Sequence, residues 1–183
     1  MLQLIIPERE SFDNSKGEFV YTKSQTLDLE HSLISISKWE STWKKPFLPK
    51  GPTTREETID YLKCMTLNSK VDPAIYYTLD RSELERVGKY IEDDMTATWF
   101  NERNTNSRPR GRKQVVTSEL IYYWMISYGI PFECQKWHLN RLLTLIRVCE
   151  IKNTPSKKMK KKDLYAQNAA LNASRKRTLG TNG

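Results

Sequence analysis

The chain holds only two histidines, three cysteines and seven glycines in 183 residues, and each scarcity removes a class of function. His31 and His138 are the only imidazoles, so general-base catalysis near neutral pH has few candidates. Cys64, Cys134 and Cys149 form an odd set without paired spacing. A disulfide framework is therefore not expected, and a reducing compartment is. Eight prolines and seven glycines argue against long collagen-like or low-complexity stretches. Long apolar runs are missing as well. The longest, Leu120 to Phe132, is broken by Ser127, Gly129 and Pro131 and falls short of the roughly 18 residues that a membrane span needs. The opening MLQLIIPERE has no basic segment ahead of its few apolar residues and is not expected to act as a secretory signal. A soluble chain with no membrane partner is the expectation.

Tests for chemistry come out negative. Cys134 and His138 stand four apart in a stretch read as one helix, which offers two ligands where structural zinc takes four. The same pair lacks the oriented third group of a Cys–His nucleophile. A half-buried thiol and a partly exposed imidazole are the preferred reading. The sequence contains no phosphate-binding Walker loop, no G-x-G-x-x-G and no G-x-S-x-G. Glu56/Glu57 and Asp93/Asp94 are adjacent in sequence, and neighbours on a helix do not face each other. Neither an enzyme, nor a cofactor, nor a metal site is expected.

Basic charge is what the chain has in excess, and it is concentrated. Of the net +8, residues 154–183 carry +7, from eight Lys/Arg against Asp163. A second basic segment, NERNTNSRPRGRK at 101–113, adds +4, which leaves the remaining body near −3. A near-neutral body with two basic appendages suits contact with something acidic, although solvated segments that aid solubility have the same composition. KKMKKK and SRPRGRK could neutralise phosphates. Aromatic residues are not interleaved with them, and no nucleic-acid-binding signature accompanies them. Nucleic acid is thus the weaker partner.

Along the chain, Leu2, Leu4 and Ile6 alternate before Pro7, NSKGEF (14–19) signals a turn and FVYT follows in strand-favouring types. Over 27–44 two periods compete. Leu27/Leu29 and Ile34/Ile36 alternate, while Leu29, Leu33, Ile36, Trp39 and Trp43 fit a helical stripe. Strand first, with a helical turn near Trp39 to Lys44, is the expectation. Pro46, Pro49 and Pro52 mark a loop. Thr54-x-x-Glu57 and Asp80-x-x-Glu83 are capping boxes that open helices, the second stopping near Tyr90 or Ile91 before Glu92-Asp93-Asp94. Thr117 caps the next helix, where Leu120, Trp124 and Tyr128 stand four apart. Leu139, Leu142, Leu143, Ile146 and Cys149 then form the stripe of a core helix. Alanine-rich 163–179 reads as a helix ending at Gly180, with a thin apolar face and Arg175, Lys176 and Arg177 in its last turn. The fold class is α+β: β-rich at the N-terminus, mainly helical from about residue 53, as one domain over 1–153 (basic loop 101–114) plus a basic helical extension over 154–183.

Four stretches carry a family resemblance: LDLEHSLISISKWESTWKKPFL (27–48), TTREETIDYLKCMT (53–66), ELIYYWMISYGIPFECQKWHLNRLLTLIRVCEIKN (119–153) and KKMKKKDLYAQNAALNASRKRTLGTNG (157–183). In these the chain resembles small proteins of the tail-gene region of tailed bacteriophages, often described as tail assembly chaperones. The resemblance implies a non-enzymatic protein that associates with the long helical tape-measure protein during tail assembly. The alternative it implies is a minor tail or head–tail component of the virion. Host cytoplasm is the implied location for the first and the virion for the second. Self-association and a basic nucleic-acid-associated role stay open. The family supplies no catalytic residues to carry over. Chaperone contacts would come from exposed aromatic residues, with Trp39, Trp43, Trp99 and Phe100 as candidates. A core position is the competing reading, and the favoured one for Trp39. The basic candidates are Lys157, Lys158, Lys160, Lys161, Lys162, Arg175, Lys176 and Arg177 in the extension, with Arg103, Arg108, Arg110, Arg112 and Lys113 in the loop.

Overall fold

The computed structural model describes residues 1–13, 17–48, 50–100, 115–154 and 161–180; of residues 11–13, 18, 20, 161–164, 166 and 167 it describes the backbone alone. The chain opens on β1 (Leu2–Ile6), β2 (Arg9–Asp13), β3 (Glu18–Thr22) and β4 (Gln25–Leu29). β1 pairs antiparallel with β4, Leu4 opposite Leu27 and Leu2 opposite Leu29. β2 pairs with β3, Arg9 opposite Thr22. The period-two pattern is realised in β1 and β4. Leu4, Ile6, Leu27 and Leu29 are fully buried while Ile5 points to solvent. The expected turn at 14–19 lies partly outside the described residues. Gly17 within it has φ +69, a left-handed conformation that glycine adopts without a Cβ penalty.

Helices follow: α1 (Leu33–Trp43), α2 (Arg55–Met65), α3 (Arg81–Glu92), α4 (Ser118–Ser127), α5 (Leu139–Asn153) and α6 (Lys161–Leu179), with short 3-10 turns at Pro73–Tyr77 and Phe132–Lys136. The class is α+β, as the sequence indicates. One expectation is corrected here. Helix begins at Leu33, not near Trp39, and Ile34 and Ile36 are helical. Ser32 is the reason: its hydroxyl accepts from the Ser35 amide while the Ser35 hydroxyl accepts from the Ser32 amide. With both serines acting as caps, the Leu33–Ile36–Trp39 stripe wins over the alternation.

The two sequence-read capping boxes differ in detail. Asp80 and Glu83 form the reciprocal pair, and Arg9 from β2 clamps Glu83 through both terminal nitrogens at 3.0 and 2.9 Å. At α2, Thr54 accepts from the Glu57 amide, but the Glu57 carboxylate returns to the amide and hydroxyl of Thr53, one residue earlier. α3 extends to Glu92, past the stop expected at Tyr90 or Ile91. Asn140 of α5 donates to the carbonyls of Ile91 and Asp93, so a tertiary contact satisfies the helix end that the acids disfavour. Thr117 stands at the start of α4 but makes no side-chain cap.

Residues Met1–Glu150 form one compact unit and Ile151–Gly183 a second. In the first, α1 packs on α2 and α4. Leu139, Leu142 and Ile146 of α5 join the core with Leu143, Leu145 and Cys149 against it, as their spacing predicts. On α4 the buried apolar positions are Ile121 and Met125, joined by Ser118, whereas the expected stripe of Leu120, Trp124 and Tyr128 is only half-buried. In the second unit, α6 starts two residues before the expected Asp163 and ends ahead of Gly180 at φ +63. Tyr165 and residues 168–179 are all exposed. Among the described residues no helix is long and apolar enough to cross a membrane.

Candidate functional site

The four aromatic candidates separate into a core pair and a surface pair. Trp39 is 1% exposed, so it is a core residue and not a surface anchor. Its indole nitrogen donates to the Glu57 carbonyl at 3.0 Å, its ring stacks on Trp43 and it meets Phe47 edge-on. Burying its large ring against α2 serves stability better than recognition. Trp39→Phe removes that hydrogen bond and part of the ring, at an expected cost of about 1–2 kcal/mol, measurable by urea denaturation. Trp43 is half-buried beside it, with Lys45 Nζ 5.5 Å from its ring centre.

Trp99 is 79% exposed, and Phe100 next to it is half-buried under the Arg147 guanidinium, 4.1 Å above the ring. Asp94, Thr96, Thr98, Leu143 and Thr144 complete a shallow depression of about 350 Å³. The structure thus brings Trp99 and Phe100 together and leaves Trp39 and Trp43 apart from them. The loop residues Arg103, Arg108, Arg110, Arg112 and Lys113 lie outside the described residues, as do Lys157, Lys158 and Lys160. Lys161 and Lys162 open α6, and Arg175, Lys176 and Arg177 are exposed in its last turn. At 1.5 Å per residue the two ends of basic charge on α6 are about 20 Å apart.

Two features were missed by the sequence reading. One is the outer face of α4, where Tyr123 (62% exposed) and Ile126 (65%) point to solvent; the exposed Phe132 of the following 3-10 turn lies beside Tyr122, ring centroids 6.4 Å apart. The available signal was that seven consecutive residues, Leu120 to Ile126, are apolar or aromatic. A helix hydrophobic all round needs cover on every face, and here one face has none within the described residues.

The other is a buried polar cluster. His31 sits between β4 and α1, its carbonyl accepting from the Leu139 amide at 2.7 Å. Its ring lies 5.0 Å from that of His138, which lies 4.9 Å from Tyr90. His138 precedes α5 while Cys134 belongs to the 3-10 turn, so they do not share a helix. Nor is His138 partly exposed: it is buried, its Nε2 facing the Tyr90 carbonyl at 2.9 Å and its Nδ1 accepting from the Asn140 amide. That donor fixes the proton of the neutral ring on Nε2. Tyr90 donates to Glu30 at 2.6 Å, and burial raises its hydroxyl pKa. Burial, reinforced by the facing His138, pushes His31 down to about 3. So weak a base is neutral near pH 7 and serves as a hydrogen-bonding group, not as a proton acceptor in catalysis. Among the described residues no three His, Cys, Asp or Glu side chains gather as metal ligands.

Beside this cluster opens a cavity of about 590 Å³, between the 47–52 connection, α2, α3 and the start of α5. Comparison with protein-family models, with curated proteins and with solved structures finds no match to this chain.

Proposed function

We propose that this chain is a non-enzymatic bacteriophage tail assembly protein that binds the tape-measure protein as a chaperone. The observation that carries the binding part is the uncovered face of α4, with Tyr123 and Ile126 each more than half exposed and Phe132 exposed on the turn that follows. Large rigid apolar side chains exposed together mark protein interaction sites. The phage part is supported by the sequence resemblance, whose quoted stretches include this helix. Trp99 and Phe100 offer a second contact patch, and the exposed cations of α6 suit an acidic stretch on an elongated partner.

Replacing Tyr123 and Ile126 together by Asp tests the reading. Both side chains point to solvent, so the melting temperature is expected to stay within a few degrees of wild type. Co-purification of the tape-measure protein from infected cells should fall at least about tenfold, since apolar anchors of this kind contribute about 2 kcal/mol or more each. Unchanged co-purification would remove the surface from consideration. Mass spectrometry of purified virions separates the two assembly roles. A chaperone is absent from particles, whereas a minor structural protein appears at a fixed copy number.

A further inference from the structure

The apolar face of α3 is wider than the core covers. Its buried positions are Glu83, Val87 and Tyr90. Beside them Leu84, Gly88 and Ile91 make a second stripe at i, i+4 and i+7, with Leu84 40% exposed. That stripe lines the cavity of about 590 Å³, which Thr58, Tyr61 and Leu62 of α2 line from the other side. A smaller depression of about 250 Å³, with Ile59, Tyr76 and Leu79 in its wall, shares Thr58 and Leu84 with the first. The two therefore run on from each other as one trough between α2 and α3. From Leu84 to Ile91 it follows α3 for about 10 Å, two turns of helix. Gly88 leaves the trough open, since a Cβ added there would meet nothing within 4 Å.

Apolar walls on two helices, with side chains recurring every turn, suit the i, i+3 or i+4 and i+7 anchors of a third helix. The charged residues of the trough narrow the choice. Lys50 lines the larger depression and Arg55 the smaller. Among the described residues neither makes an ion pair. Glu92, at the end of α3, is the one acid among the described lining residues. Two unpaired cations against one acid favour a helix with an excess of negative charge. The chain's own α6 has the wrong sign, with Lys161, Lys162, Arg175, Lys176 and Arg177 against Asp163.

We propose that the trough between α2 and α3 receives an acidic amphipathic helix of a partner protein, whose apolar residues seat along Leu84, Gly88 and Ile91 and whose carboxylates meet Lys50 and Arg55. This contact surface lies on other elements than the α4 face and does not depend on the assembly role.

The test titrates the full chain, at low salt, into a fluorescent hydrocarbon-stapled alanine-based helix with leucine at i, i+4 and i+7 and two flanking glutamates, followed by anisotropy. A dissociation constant below about 100 μM is expected. Exchanging the glutamates for lysine should weaken binding at least about tenfold, and moving the leucines off one face should abolish it. Gly88→Leu fills the trough and improves helix propensity, so the variant should fold and lose at least about tenfold in affinity. Should it fail to fold, Lys50→Glu with Arg55→Glu decides the matter. Both side chains are exposed, and the pair should reverse the preference, so that the lysine helix binds more tightly than the glutamate helix. Equal binding of the acidic and basic helices, indifference to leucine placement, or an unreversed preference in the double variant would each overturn the proposal. So would binding lost on replacing Tyr123 and Ile126 by Asp, which would assign the helix to α4. Self-association of wild type that Gly88→Leu abolishes would give the trough to a second copy and likewise overturn it.

Discussion

Acidification alone should weaken this fold by about 2 kcal/mol between pH 7 and pH 5, and by more than about 3 kcal/mol at pH 4. The source is His31. In the unfolded chain an imidazole titrates near 6.5, whereas in the folded chain this one is held near 3 by burial and by the facing His138. Below pH 6.5 the unfolded state binds a proton that the folded state refuses. Stability is therefore complete above pH 6.5 and drains away as pH falls towards 3. The carboxylate that Lys45 and Thr53 hold low, Glu57 at about 2, drains in a separate window below about pH 4.5. Loss between pH 6.5 and 5 is thus distinct from that of Glu57. Urea denaturation at pH 7.5, 6 and 5 measures it. His31→Asn sharpens the measurement, because the amide oxygen can still accept from the Tyr61 hydroxyl while nothing at that position titrates. The variant should be less stable at pH 7.5, having lost a ring, but its stability should change little down to pH 5. A wild-type chain equally stable at pH 7.5 and pH 5 would contradict the burial of a neutral His31.

Parts of this architecture were legible in the sequence because they are written in local chemistry. The alternation of Leu2, Leu4 and Ile6 gives β1, Asp80-x-x-Glu83 gives the start of α3, and the stripe from Leu139 to Ile146 gives the buried face of α5. What failed was decided by partners far along the chain. The start of α1 turned on a serine pair that the Ile34/Ile36 alternation disguised. The end of α3 turned on Asn140, 47 residues beyond Asp93. For Trp39 the core was the favoured position, and the structure places it there, its indole nitrogen donating to the Glu57 carbonyl.

The candidate site was legible in type but not in place. Contacts were expected from exposed aromatic residues; of the four named, Trp99 is exposed and Phe100 is half-buried under the Arg147 guanidinium. Tyr123, Ile126 and Phe132 were not foreseen, since a stripe four residues apart says which face is apolar without saying whether the opposite face is covered. The pairing of the two histidines was invisible for a plainer reason. They are 107 positions apart, and backbone pairing, with the Leu139 amide on the His31 carbonyl and Ser32 opposite His138, brings the segments together.

The same dependence on distant partners governs α4, and it makes Glu40→Ala a strongly damaging change. Glu40 lies on α1 and is 8% exposed. One carboxylate oxygen accepts from the Phe47 amide at 2.8 Å, the other from the Ser118 amide at 2.8 Å. Ser118 is the first residue of α4, and Thr117 makes no side-chain cap, so a carboxylate 78 residues away caps this helix. A negative charge there also complements the positive end of the helix dipole. Removing it orphans two buried N–H groups that now make charge-assisted bonds worth about 1.5–3 kcal/mol each. The expected loss is about 3–5 kcal/mol, a large part of the stability of an ordinary domain. Glu40→Gln separates charge from shape: one oxygen is retained, but the amide NH₂ must face a backbone N–H, so at least about half of the loss should remain. Amide hydrogen exchange localises the effect, with Ser118 and the first turn of α4 losing protection before the β1–β4 ladder does. If Glu40→Ala instead unfolds at the same urea concentration as wild type, the two amides have found water, and the cap contributes little.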